Sequence, residues 1–165
     1  MKYQEQKARM ERLYKKINPE SDNHGDFVEY EDNLWFFFQT AWHLKDWIKN
    51  DPEINNKGIE EIVENVLSLR ICADLANRTK HHVLTKYIRE DAKFEGNDCT
   101  VIADIATITY ADALSGKVAV SKCQASKYNF WITDQSGERY PAIELANQIM
   151  RDWDEIIKNH VRPKI

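Results

Sequence analysis

The sequence lacks the features of a membrane-spanning, disulfide-bonded or phosphate-loop protein. No apolar run approaches the roughly 20 residues that cross a bilayer, and the amino terminus has no apolar stretch of the kind found in signal peptides. The three cysteines form no CxxC pair, and an odd number does not suit a disulfide framework. The five glycines form no glycine-rich loop that would cradle a phosphate. We therefore expect a cytoplasmic protein with reduced thiols, no cofactor and no membrane partner.

The composition is that of an ordinary globular protein. The chain has 165 residues, of which 42% are hydrophobic and 30% are charged, and its net charge is −4. This length suits one domain with a sizeable core. Because the net charge is negative, binding to RNA would require a local basic patch.

Helical periodicity dominates the first 94 residues. Apolar side chains recur at helical spacing and predict helices over residues 2–17, 34–50 and 59–82. The second of these is rich in aromatic residues on several faces, so we expect it to be the central helix, buried nearly all round. The acidic segment 20–33 is predicted to be a loop.

The pattern changes to alternation after a turn near residue 96. Valine, isoleucine and threonine predict strands over residues 100–110, 117–123, 128–133 and 138–140, and Pro141 then opens an amphipathic helix that ends near residue 160. The sequence therefore predicts a single α+β domain over residues 1–165. Its parts are a mainly helical bundle (1–94), a small antiparallel β-meander (95–140) and a closing helix (141–160).

Two polar clusters interrupt the apolar helices. His43 and Asp46 lie three residues apart on one predicted helix, and Asp74, Asn77 and His81 lie at i, i+3 and i+7 on the next. Burying such groups costs free energy unless each finds a partner. If the two helices pack antiparallel, we expect the clusters to face each other or a ligand.

The second cluster suits acid–base chemistry. His81 titrates near neutral pH and is the candidate general acid or base, while Asn77 would orient it. Lys80 and Arg78 flank the stripe and would stabilise negative charge developing on a phosphate. This set predicts metal-independent RNA cleavage, with Asp74, His43 and Asp46 in support.

Two other interpretations remain open. In the first, the clusters form a buried structural network in a non-catalytic interaction protein such as an immunity protein, antitoxin or inhibitor, whose acidic segment 20–32 engages a basic partner. In the second, a helical bundle holds zinc, manganese or iron through facing side chains. The ligands of that site would be His43, Asp46, Asp74 and His81.

The segment Asn77-Arg78-Thr79-Lys80-His81 resembles part of the motif of the HEPN superfamily, helical-bundle proteins common among prokaryotic toxins and antiviral defence systems. The usual motif is an arginine, a polar residue that is often asparagine, three further residues and a histidine. Asn77 and His81 match its polar and catalytic positions, whereas Ala76 stands where the arginine is expected. The resemblance covers residues 34–82. It implies a metal-independent ribonuclease or nucleotide-binding toxin or defence protein, with an active site at a homodimer interface.

Overall fold

The computed structural model describes residues 2–18, 27–78, 100–105, 128–133 and 139–164. These residues form helices and two small sheets. The helices are α1 (Tyr3–Ile17), α2 (Phe27–Lys49), α3 (Ile59–Glu64), α4 (Leu67–Arg78) and α5 (Ala142–His160). The strands are β1 (Ile54–Asn55), β2 (Thr100–Ile105), β3 (Tyr128–Thr133), β4 (Arg139–Pro141) and β5 (Arg162–Pro163). The α+β class is therefore confirmed, with a mainly helical first part, antiparallel strands and a closing helix.

The three-stranded sheet has the order β2-β3-β4, and both pairs are antiparallel. The predicted strand over residues 128–133 is confirmed, and the last predicted strand is shifted by one residue. β2 pairs directly with β3. The predicted strand 117–123 lies outside the described residues. The sheet packs on α5, which buries Trp153 completely.

The second helix begins earlier than predicted. Residues 27–33 belong to α2, so the predicted loop over 20–33 is wrong in its second half. The Tyr30 hydroxyl donates to the Ile17 carbonyl at 2.8 Å, and its ring stacks on Phe130 with the ring centroids 5.3 Å apart. Burial raises the pKa of Tyr30 to about 12. Contacts with distant parts of the chain therefore favour a helix in a segment whose local composition suggests a loop.

The predicted helix over residues 59–82 is wrong in its continuity, because α3 and α4 are separated at Asn65 and Val66. The Asn65 side chain donates back to the Glu61 carbonyl at 2.9 Å, a local bond of the kind that competes with helix propagation. The Val66 amide donates to the Val63 carbonyl three residues back, which tightens the turn. After the break, α4 packs on both α2 and α5.

Among the helices that the structure describes, the most deeply buried is α4, not α2. Every residue from 68 to 76 is buried except Arg70, which is half-buried. In contrast, α2 has an outer face on which Val28 is 61% exposed and Phe36 is 52% exposed. Small side chains on α4, such as Ala73 and Ala76, let other elements approach it closely. The prediction that the aromatic-rich helix is buried nearly all round is therefore wrong.

Asp51, which follows α2, accepts a hydrogen bond from the first residue of α1. The backbone N–H groups of Tyr3 and Glu53 each donate to the Asp51 carboxylate at 3.0 Å. These bonds, chiefly the one from Tyr3, hold the pKa of Asp51 below its ordinary value. Because α1 has no side-chain cap of its own, Asp51 acts as its amino-terminal cap from a distant part of the chain. Nearby, β1 and β5 pair antiparallel.

None of the helices in the described part of the chain combines the length and the apolar character needed to cross a membrane.

We expect Asp51→Ala to lower the free energy of unfolding by about 1 kcal/mol at pH 7, the usual effect of losing a helix cap. Asp32→Ala, which changes an exposed carboxylate on α2, is the control and should change it by less than about 0.5 kcal/mol. Urea denaturation measures both values. An Asp51→Ala variant as stable as the wild type would contradict the cap.

The same variant has a defined pH dependence. Because the folded-state pKa of Asp51 is depressed, its contribution is fully present above the ordinary value of 3.8 and is lost as the pH falls through the folded-state pKa. The difference in unfolding free energy between wild type and Asp51→Ala should therefore shrink below pH 3.8.

Candidate functional site

Cys72 fixes the face of α4 that meets α2. Its thiol donates to the backbone carbonyl of Phe38 at 3.2 Å. Burial raises the pKa of the Cys72 thiol well above its ordinary range. The thiol is therefore protonated at neutral pH and has a packing role, since the nucleophilic form of cysteine is the thiolate.

The orientation of α4 against α2 follows from two contacts. Lys49 near the end of α2 pairs with Glu60 near the start of α3 at 2.8 Å, and Cys72 further along meets Phe38, so α4 runs antiparallel to α2. At about 100° per residue, Asp74 lies roughly 200° around α4 from Cys72. Helical geometry thus places the second cluster on a different side of α4 from Cys72. His43 and Asp74 both have interaction partners, and the expectation that the two clusters meet stays a prediction.

The first cluster lies near the outer side of α2. His43 is half-buried and has an interaction partner. Asp46 is half-exposed and accepts a bond from the neighbouring Lys45 ammonium at 2.7 Å. The Lys45 ammonium also lies 4.7 Å from the centre of the Trp42 ring. These contacts favour a packed surface network over a reactive centre.

The second cluster is mostly internal where it is described. Asp74 is 8% exposed and Asn77 is half-buried. Arg70, which precedes Asp74 by four residues on the same stripe, is half-buried and adds a positive charge that the sequence analysis missed. Arg70 and Asp74 both have interaction partners. The i, i+4 spacing of Arg70 and Asp74 is the sequence signal that would have revealed this.

The remaining predicted site residues lie at or beyond the end of the described part of α4. Lys80 and His81 are outside the described residues, and only the helical backbone of Arg78 is described. Their predicted roles in catalysis and phosphate binding therefore stay predictions. Within the described ranges, no three histidine, cysteine or acidic side chains are grouped so that they could hold a metal ion. The three described members of the predicted metal set, His43, Asp46 and Asp74, do not converge.

A groove between α3 and α5 was not predicted. We call it the α3–α5 groove. It has a volume of about 230 Å³. Its lining residues are Ile62, Val66, Asp152, Glu155, Ile156, Asn159 and His160. The apolar members are buried or half-buried, whereas Glu155, Asn159 and His160 are exposed. The groove therefore has an apolar floor and a polar rim.

Asp152 is held in place at the edge of this groove. The Ser68 hydroxyl donates to one of its carboxylate oxygens, and the Gln148 amide donates to the other at 2.8 Å. Ser68 is in the first turn of α4, so the Asp152 carboxylate lies near the positive end of that helix dipole. Glu155 is one turn further along α5 and forms no ion pair with any residue that the structure describes. The groove thus presents fixed and exposed negative charge.

The comparisons with known proteins give no relative. No family model matches the chain, and neither a curated protein nor a solved structure matches it significantly. The structure defines an α+β protein in which the buried helix α4 carries a polar stripe and α3 and α5 border an acidic groove. The HEPN-like resemblance stays a prediction, and the structure places Ala76, at the position of the motif's arginine, in the core at 2% exposure.

We expect Ala76→Arg, which restores the motif's arginine, to destabilise the protein by about 3 kcal/mol or more, because it overpacks the core and buries a charge. Leu67→Arg, at a 54% exposed position of the same helix, is the matched control and should change stability by less than about 0.5 kcal/mol. Thermal or urea unfolding measures the difference. A stable Ala76→Arg variant that gains RNA cleavage would contradict this assignment.

Proposed function

We propose that this protein is a non-catalytic interaction protein, in the class of immunity proteins, antitoxins and inhibitors. In this proposal it binds a basic segment of a protein partner in the α3–α5 groove. The polar stripe of α4 then stabilises the core of the fold and takes no part in a reaction. The groove, with its apolar floor and acidic rim, is the observation that carries the proposal.

The size of the groove favours a side chain over a substrate. Pockets for drug-sized ligands usually measure about 300–1,000 Å³, and this groove is smaller, at about 230 Å³. It matches one or two anchoring side chains of a protein partner. The exposed Leu67 follows Val66 directly and extends the apolar area beyond the groove.

The charge of the groove favours a basic partner. Asp152 and Glu155 contribute two carboxylates, and no lysine or arginine is among the described lining residues. Glu61 and Glu64 on α3 are exposed as well. Complementary charge steers association and selects partners, so a segment that combines lysine or arginine with a large apolar side chain fits this surface.

The arrangement of the α4 stripe supports a structural role. Asp74 is 8% exposed and has interaction partners. Networks of this kind help to specify packing when their members are satisfied. The competing proposal is a ribonuclease that uses Asn77, Lys80 and His81, and it makes a different prediction.

A selection from a displayed random-peptide library tests the groove. We expect peptides that combine lysine or arginine with leucine, isoleucine or an aromatic residue. Glu155→Lys should weaken their binding about tenfold, since it places like charges together at the rim. Asp32→Lys, which changes the charge equally on the exposed face of α2, should leave binding unchanged. Fluorescence anisotropy measures both affinities, and equal binding by the two variants would contradict the proposal.

An RNA-cleavage assay tests the competing proposal on the same preparations. We expect no cleavage of a mixed RNA pool by wild type, with or without EDTA. Cleavage that survives EDTA and vanishes in His81→Ala would contradict the interaction proposal and support the ribonuclease.

A further inference from the structure

A small apolar cavity lies between α4, the sheet and the start of α5. We call it the β4–α5 cavity. It has a volume of about 120 Å³ and is separate from the α3–α5 groove, with which it shares no lining residue. Its lining residues are Ile71, Ile132, Tyr140, Pro141, Glu144 and Leu145.

The cavity extends from the core to the surface. Ile71 and Ile132 are buried, Tyr140 and Leu145 are half-buried, and Glu144 is exposed. An engineered apolar cavity of ~150 Å³ stays dry and binds benzene. The β4–α5 cavity is slightly smaller and open at one end, so it matches the size of a single aromatic ring whose substituent points outward.

The mouth of the cavity carries a negative charge. Glu144 is the one charged residue among the described lining residues, and it forms no ion pair with any of the residues that the structure describes. It lies in the first turn of α5, where the helix dipole stabilises a carboxylate. A cation at the mouth would be attracted to the Glu144 side chain, whereas an anion would be repelled.

We propose that the β4–α5 cavity binds a small aromatic cation, independently of the groove. The ring lies against Ile71, Ile132 and Leu145, and the cationic group meets the Glu144 carboxylate. Burial of the ring supplies most of the affinity, and the carboxylate selects the charge of the ligand.

Methyl NMR of the full chain tests the proposal with two probes of nearly equal shape, benzylamine and benzyl alcohol. We expect benzylamine to shift the methyl resonances of Ile71, Ile132 and Leu145 saturably at millimolar concentrations. Benzyl alcohol should produce the same shifts with an affinity about fivefold lower, the size of a favourable exposed ion pair. Absence of saturable shifts at these methyl groups would overturn the proposal.

Two variants separate the role of the charge from that of the cavity. Glu144→Gln, at an exposed position, should keep the fold and remove the preference for benzylamine. A preference that persists in Glu144→Gln would overturn the role of the carboxylate.

Leu145→Trp should fill the cavity and abolish binding of both probes. Its control is Ile143→Trp, at a half-buried position of α5 that does not line the cavity. Circular dichroism checks that both variants fold. Unchanged binding by a folded Leu145→Trp variant would overturn the location of the site.

Discussion

The close packing of α4 against the backbone of α2 at Cys72 determines where the polar groups of this protein lie. The Cys72 thiol donates to the Phe38 carbonyl, and Ala73 and Ala76, which follow on α4, are small and buried. Once Cys72 faces α2, helical geometry turns Asp74 to the opposite side of α4. Because α4 is buried on nearly every side, that stripe becomes part of the interior. The structural interpretation of the α4 stripe follows from this position, whereas the proposed function depends on the α3–α5 groove.

The helix α5 borders both concave surfaces that a ligand could reach, whereas α4 is buried. Its apolar face buries Trp153 against the rest of the core, and its two ends border different concave sites. Near the carboxyl end, Asp152 and Glu155 form the acidic rim of the α3–α5 groove. Near the amino end, Glu144 stands at the mouth of the β4–α5 cavity. Both sites combine apolar walls with carboxylates, which is the chemistry of binding cationic partners.

Periodicity predicts correctly the elements that carry a regular apolar pattern along their whole length. The helices α1 and α5 and the strand β3 follow from periodicity and agree with the structure. The start of α2 does not, because Tyr30 depends on Ile17 and Phe130, which are distant in sequence. The break at Asn65 depends on one side-chain bond that helix periodicity does not register. Periodicity also predicts the wrong helix as the most buried one, since α4 is buried more completely than α2. Small residues on α4 permit closer packing than the aromatic residues on α2.

In the candidate site, too, the local pattern is predicted correctly and the contacts between distant residues are not. The sequence identifies Asp74 and Asn77 as members of one helical stripe, and this holds. The sequence does not reveal which neighbouring elements the stripe faces. That depends on the contact between Cys72 and Phe38, which orients α4 against α2. The α3–α5 groove was missed because its floor and rim come from segments about 90 residues apart.

Native-state hydrogen exchange of the backbone amides tests most directly the central claim that α4 is a buried helix of the core and not an exposed catalytic helix. The account predicts that amides 70–76 exchange most slowly, through global unfolding alone, and more slowly than amides on the outer face of α2. Faster exchange of α4 through local opening, with α2 remaining protected, would contradict it.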